Sequence, residues 1–427
     1  MIETMKNAWK VAELRQKILF TLLCILVYRF GYAIYVPFVD SARLAAEFAA
    51  YGQNNILTYF NILAGGGLAQ ASIFALSVYP YINSSIIIQL LQVAIPSLER
   101  LAKEGGEEGK KKIQSYTRYA TVAIALVMAI SYYILLDSSN VLTRADLWSK
   151  IVIIATFVAG SAFMMWLGEQ MTEKGIGNGT SMILFVGIVS RAPQAMMTMY
   201  AGLVNGAMAW WAVLVIVAVL VAMVAFVCFI TEAERRIPVQ YAKRVVGRKQ
   251  YGGQSTHLPM KVNMSGVMPI IFASTIVTVP ATIAAFLTPA EGSFWAGFVK
   301  AFSNGAPLYV SVYMLLIFAF AYFYSTIQFN PIEVANNMKQ NGGFIPGFRP
   351  GRPTSDFIAR VLNKITMMGA IFLAIVAVIP QIMSNFNGLE SLAVGGTSIL
   401  IMVSVALETV RAMENMLLMR HYKGFLE

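Results

Sequence analysis

FNILAGGGLAQASIFALSVYPYINSSIIIQLL, residues 60–91, is apolar along its length but broken in the middle. Gly65, Gly66 and Gly67 interrupt the first apolar stretch, and Pro80 and Asn83 sit within the second. Glycines at that density oppose a continuous helix. One reading is a tight turn outside the membrane ahead of a full span, and Gly most often marks turns. The other is a short half-helix followed by the span. Irregular backbone is tolerated at membrane depth only where protein or water satisfies it, so the second reading makes the segment the lining or filling of a cavity. These residues alone leave both open.

The rest of the chain is membrane-like. It has 427 residues, 58% hydrophobic and only 12% charged, with mean hydropathy +0.65. Soluble domains carry about twice that share of charge. Apolar runs near 18–36, 76–96, 117–137, 151–170, 180–199, 211–230, 265–287, 307–329, 366–386 and 395–413 predict ten spans. Cations sort between alternate gaps. One set of gaps, taken with Arg191 of the run 180–199, holds only Arg43, Arg144, Lys150, Arg191 and Lys300; apart from Arg29, late in the first run, all other Lys and Arg lie in the other set or, as Arg118 and Arg411 do, at the run ends beside it. Cytoplasmic loops retain Lys and Arg, so the basic gaps and both termini are expected in the cytoplasm. Orientation thereby accounts for most of the net charge of +11. The run 18–36 exceeds a typical signal-peptide core and reads as a retained first span. An odd count of five spans per half would make the second half enter upside down, with a functional site at the interface.

Several chemistries are disfavoured. No Asp, Glu, Lys or His occupies the middle of an expected span, which demotes gradient-coupled transport of small solutes. His257 and His421 lie in loops without metal spacing, and Cys24 and Cys228 sit singly in apolar runs. The glycines of KEGGEEGKKK (residues 103–112) miss the phosphate-loop spacing. No catalytic, metal or cofactor site is expected, and energy must come from elsewhere.

Polar, uncharged residues cluster in two spans: Asn83, Ser84, Ser85 and Gln89 in the second, Ser274, Thr275 and Thr278 in the seventh. Such groups either glue helices together or form a seam that opens. The inner loop 235–263 carries seven cations and no acid, among them Arg235, Arg236, Lys243 and Arg244. GGFIPGFRPGRPT (342–354) offers Arg349 and Arg352 on tight turns. Both suit docking to phosphate or carboxylate, although ordinary positive-inside loops look similar.

Four strings in register, TEKGIGNGTS (172–181), QSTHLPMKVN (254–263), PYINSSIIIQLL (80–91) and IPGFRPGR (345–352), resemble the SecY family of protein-conducting channels. The resemblance runs from N-tail to C-tail. It implies an all-α multi-pass membrane protein, with ten transmembrane helices in two inverted five-helix halves around an hourglass pore. The expected division is an N-tail 1–17, halves 18–200 and 201–415 with inner loops 231–263 and 330–364, and a C-tail 416–427. A plug half-helix is implied near 61–71, over Asn61, Ile62, Leu63, Gly65, Gly66, Gly67 and Leu68. A pore ring falls on Val78, Ile82, Thr180, Leu184, Ile271 and Ile401, with Thr180 departing from the family's usual Ile. The lateral gate takes in the polar residues of both spans with Asn178. Arg235, Arg236, Lys243, Arg244, Arg349 and Arg352 match the docking loops. Implied partners are SecE-like and SecG-like small subunits, a SecA-type ATPase, the ribosome, signal peptides, nascent chains and the lipid bilayer, in the plasma (inner) membrane of a bacterial-type cell. Transport of unfolded polypeptide across the membrane, with sideways release of apolar segments, is the implied function; the channel itself is expected to be passive, not an enzyme.

Overall fold

The computed structural model describes residues 9–50, 61, 65–144, 146–206, 209–241, 244–246, 249–251, 255–264, 266–287, 297, 301, 306–383 and 395–423. The N-terminal part holds α1 (Ala12–Tyr32), α2 (Ser41–Ala50), α3 (Tyr79–Ala94), α4 (Pro96–Lys103), α5 (Gly106–Ser138), α6 (Leu147–Lys174), α7 (Gly179–Val189) and α8 (Ala192–Val204). The C-terminal part holds α9 (Trp210–Glu232), α10 (Met268–Leu287), α11 (Pro307–Gln328), α12 (Pro331–Gln340), α13 (Arg352–Met383) and α14 (Gly395–Lys423).

Among the described residues, six helical segments are long and apolar enough to cross a membrane. The pair α3–α4, bent by 106°, makes a seventh if taken as one span. The bend falls at Ile95–Pro96, where Ile95 is extended and the proline opens α4. Composition singles out α1 less clearly, because it carries Arg15, Lys17 and Arg29 within 21 residues. Helix starts follow local chemistry. Asn178 caps α7 by accepting from Thr180 N and Ser181 N, and Asn330 caps α12 ahead of Pro331.

Several boundaries differ from the sequence expectation. The second span starts at Tyr79, not 76, because Ser77 takes φ 49° and residues 65–78 run as turns. The fifth is broken between Val189 and Ala192. The third and ninth extend well past the apolar run on the cation-rich side, where the charged stretch 107–112 is helical.

The expectation of an all-α chain needs correcting. β1 (Glu234–Tyr241) pairs antiparallel with β4 (Ser255–Lys261) and with β5 (Gly343–Phe344), so strands from the two large inner loops form one sheet. β2 (Arg244–Val246) and β3 (Lys249–Tyr251) make a separate hairpin. Ile237 and Val239 alternate inward on β1 and pack with Met260, Met338, Ile345 and Ile358 in a small core of their own. That core caps α12 and the start of α13.

Helices α1, α3, α5, α6 and α7 pack among themselves, as do α9, α10, α11, α13 and α14. The halves join chiefly along α7 and α14, and more lightly along α5 and α10. One apolar cluster spans the junction.

Candidate functional site

Val78, Ile82, Leu184 and Ile401 are all buried in the cluster that joins the halves, and Ile271 packs against it. They come from the turn before α3, from α3, α7, α14 and α10, so residues far apart in sequence converge. Thr180 departs from them. Its Oγ1 would lie 3.3 Å from a Cβ built on Gly168, so it packs against α6. The cap that Asn178 forms sets this orientation: Thr180 sits in the first turn of α7, and Leu184, one turn on, reaches the cluster. Phe272, Tyr324 and Val405 are further members that sequence reasoning missed. Each belongs to a uniformly apolar span that gives no sign of which face turns inward.

Residues 65–71 adopt turns rather than helix, while Ile62 and Leu63 lie outside the described residues. The turns are mostly half-buried, with Gly67 and Ala71 fully buried, and they are tied down by hydrogen bonds. Gly65 and Gly66 take φ 68° and 95°, which only glycine adopts without cost. Asn61, itself buried, accepts from Gly66 N through its backbone (2.7 Å) and from Ala69 N through Oδ1 (2.9 Å). Tyr132 of α5 donates its hydroxyl to Leu68 O. Val36 N donates to Ala71 O (2.9 Å) and Ile73 N to Ile34 O (3.0 Å), a two-bond splice to the chain leaving α1.

The polar residues of the second and seventh spans divide by role. Ser84 Oγ donates to Thr117 O at 2.7 Å and holds α3 to α5. Ser274 and Thr275 return their hydroxyls to Ile271 O within α10. Asn178 caps α7. Thr278 lies on α10, with its side chain outside the described residues. Asn83 Oδ1 is buried without a hydrogen-bond partner among the described residues. Gln89 reaches across to the other half: Tyr324 Oη on α11 donates to its Oε1 at 2.9 Å, while its Nε2 donates to Ser85 Oγ at 3.3 Å. Tyr324 gave no signal in the sequence beyond being one aromatic among many.

On the cation-rich side, Arg235 and Arg236 are exposed on β1, opposite Met260 and Pro259. Glu234 pairs with Arg236 at 2.7 Å, leaving Arg235 the freer charge. Lys243 lies outside the described residues; Arg244 pairs with Tyr251 in the hairpin, its side chain outside them. Arg349 is exposed at the tip of a stiff loop. Its carbonyl accepts from the buried Thr354 Oγ1 (2.8 Å), Gly347 and Gly351 take φ 88° and 104°, and the Phe348 and Phe357 rings lie 4.3 Å apart. Arg352 opens α13, also exposed. Lys261, at the end of β4, has its pKa lowered by burial and by Arg411, with Glu408 and Glu234 opposing.

The fold therefore defines a multi-pass helical membrane protein whose halves meet over an aliphatic cluster, with a pinned turn segment beside it and a strand-stitched basic cap. The SecY family model matches residues 72–410. A protein translocase subunit SecY of Streptomyces scabiei is 41% identical over 444 residues, covering 100% of each chain; one of Mycobacterium bovis is 40% identical over 450 residues, again covering 100% of each. The chain belongs to the SecY family. Among solved structures, one described as the structure of a protein-conducting channel aligns with TM-score 0.67 at 18% identity, covering 94% of this chain and 92% of that one. Sec61 from a canine ribosome–channel complex aligns at 0.63 and 17%, with the same coverage.

Proposed function

We propose that this chain is the central subunit of a protein-conducting channel, through which unfolded polypeptide passes between the halves 18–200 and 201–415. The observation that carries the reading is the convergence of Val78, Ile82, Leu184, Ile271 and Ile401 on one apolar cluster between them. An aliphatic waist offers a passing backbone no fixed hydrogen-bond partner. It excludes water and ions when empty, as hydrophobic constrictions do. Wet funnels on either side keep the peptide's polar groups hydrated over most of the path. In this reading ten helices cross the bilayer as two inverted sets of five, and residues 61–71 are the plug.

Firm packing along α7 and α14, against a Tyr324–Gln89 hydrogen bond between α3 and α11, suits a hinge on one side and a gate on the other. A Leu-rich segment of 20 residues gains several kcal/mol in lipid at about −0.3 to −0.6 per residue, and one Lys or Arg costs about +2.5 to +3.5. Sorting at the gate is then an equilibrium choice. The chain carries no enzyme chemistry in this reading. A SecA-type ATPase or a ribosome docked on Arg235 and Arg349 supplies the push, and SecE-like and SecG-like subunits brace the halves. The membrane is the plasma membrane of a bacterial-type cell, with both termini cytoplasmic. Reconstitution with motor, partner subunits and a preprotein tests the reading: protease-protected product that requires ATP supports it. Saturable uptake of a small solute by proteoliposomes of the chain alone would replace it with a transporter.

A further inference from the structure

The three glycines of the turn at 65–67 each abut a different wall, and among the described residues the nearest atoms of every wall belong to the N-terminal half. A Cβ on Gly65 would meet Gly187 Cα and Tyr28 Oη, both at 3.2 Å. One on Gly66 would lie 3.6 Å from the Arg191 guanidinium, which sits in the break between α7 and α8. One on Gly67 would meet the Tyr32 ring and Ser72 Oγ at 2.7 Å. A second arginine ties these walls together. Arg29 of α1 donates to Val186 O on α7 at 3.1 Å, one residue before Gly187. Its guanidinium also stands 5.5 Å and 5.6 Å from the centroids of Tyr28 and Tyr32, the two rings that face Gly65 and Gly67. From the opposite side Tyr132 of α5 holds Leu68 O. Leu68 and Ala71 share a cluster with Leu44, Tyr132 and Phe157, all again N-terminal; Phe74, beyond the segment, belongs instead to the cluster that joins the halves.

We propose that Arg29, Arg191 and Tyr132 are positioning residues that latch the plug, and that this seat lies wholly on the N-terminal half. Resting on the plug reading above, the proposal adds that gate opening and plug release are separate steps. The C-terminal half can swing away along α3 and α11 without touching any group that holds the turn. Release needs the latch itself to break.

The test is idle ion conductance of the full channel complex in planar bilayers, with a deletion of residues 61–71 as the upper limit. Tyr132→Phe removes one hydrogen bond and no packing; it should raise idle conductance about fivefold, the equivalent of roughly 1 kcal/mol. Arg191→Gln should raise it further, and both variants should still translocate preprotein, which a misfolded channel would not. Wild-type tightness in both variants while the deletion leaks would overturn the latch. A deletion that seals like wild type would remove the plug reading itself, and the latch with it. Finally, Arg191→Gln is combined with Gln89→Cys and Tyr324→Cys, bridged by a bismaleimide so that the gate stays shut. Persistent leak supports a seat independent of the gate; leak abolished by the bridge overturns it.

Discussion

Tyr324→Phe removes a single hydroxyl from the seam between α3 and α11 and leaves the ring in place. That hydroxyl is the donor to Gln89 Oε1 at 2.9 Å. The Gln89 amide nitrogen keeps Ser85 Oγ, so only its carbonyl loses a partner. Interhelical hydrogen bonds in membranes average about 0.6 kcal/mol and reach about 1.7. Taking roughly 1 kcal/mol, the ratio of open to closed gate rises about fivefold. Each leucine in a signal segment contributes about 0.3 to 0.6 kcal/mol toward lipid, so the same energy equals about two leucines. The assay is translocation of a preprotein series whose signal segments differ one leucine at a time. The variant's threshold should fall by about two leucines. An unchanged or raised threshold, at wild-type expression of the channel, would refute the assignment of this hydrogen bond to the gate.

Three further outcomes are expected. Gly160→Ala would place a Cβ 2.1 Å from Ile73 O, a backbone atom pinned by its neighbours; thermal unfolding of the purified complex should show a loss of about 1–3 kcal/mol, together with idle leak. Ile237→Ala empties part of the cap core, at a local cost of about 2–5 kcal/mol; limited proteolysis should cut the loop between β1 and β4 faster than in wild type. Arg349→Glu reverses the charge on a loop fixed by Thr354 and the Phe348–Phe357 pair; ATP-driven translocation should stop while the protein remains folded and inserted, as judged by its unchanged melting temperature.

Long-range patterning was the part of the fold most legible in the sequence. Apolar runs and the sorting of cations marked the helices, because bilayer thickness and loop charge act on any chain alike. Local geometry was harder to read. The glycines at 65–67 suggested a turn or a half-helix, and the turns that form are held in part by tertiary bonds with Tyr132 and Val36 that no window around the glycines reveals. The sheet was missed although Ile237 and Val239 already alternate. Pro238 between them and the surrounding cations drew the reading toward a docking loop, and β1's partners lie about 20 and 100 residues away in the chain. Thr180, which the resemblance implied for the pore ring, lies in the first turn of α7 with its hydroxyl beside Gly168. The other positions of the expected pore ring came only from the family resemblance, since nothing in a uniformly apolar span says which face meets another helix.

A polypeptide stalled halfway through the assembled channel is the most direct probe of whether the junction of the halves is the path. Single cysteines at Val78 and Ile401, chosen from opposite halves, should each form a disulfide with a cysteine in the stalled chain. If both instead react only with a lipid-dissolved maleimide and never with the chain, the aliphatic cluster is ordinary packing and polypeptide does not cross there.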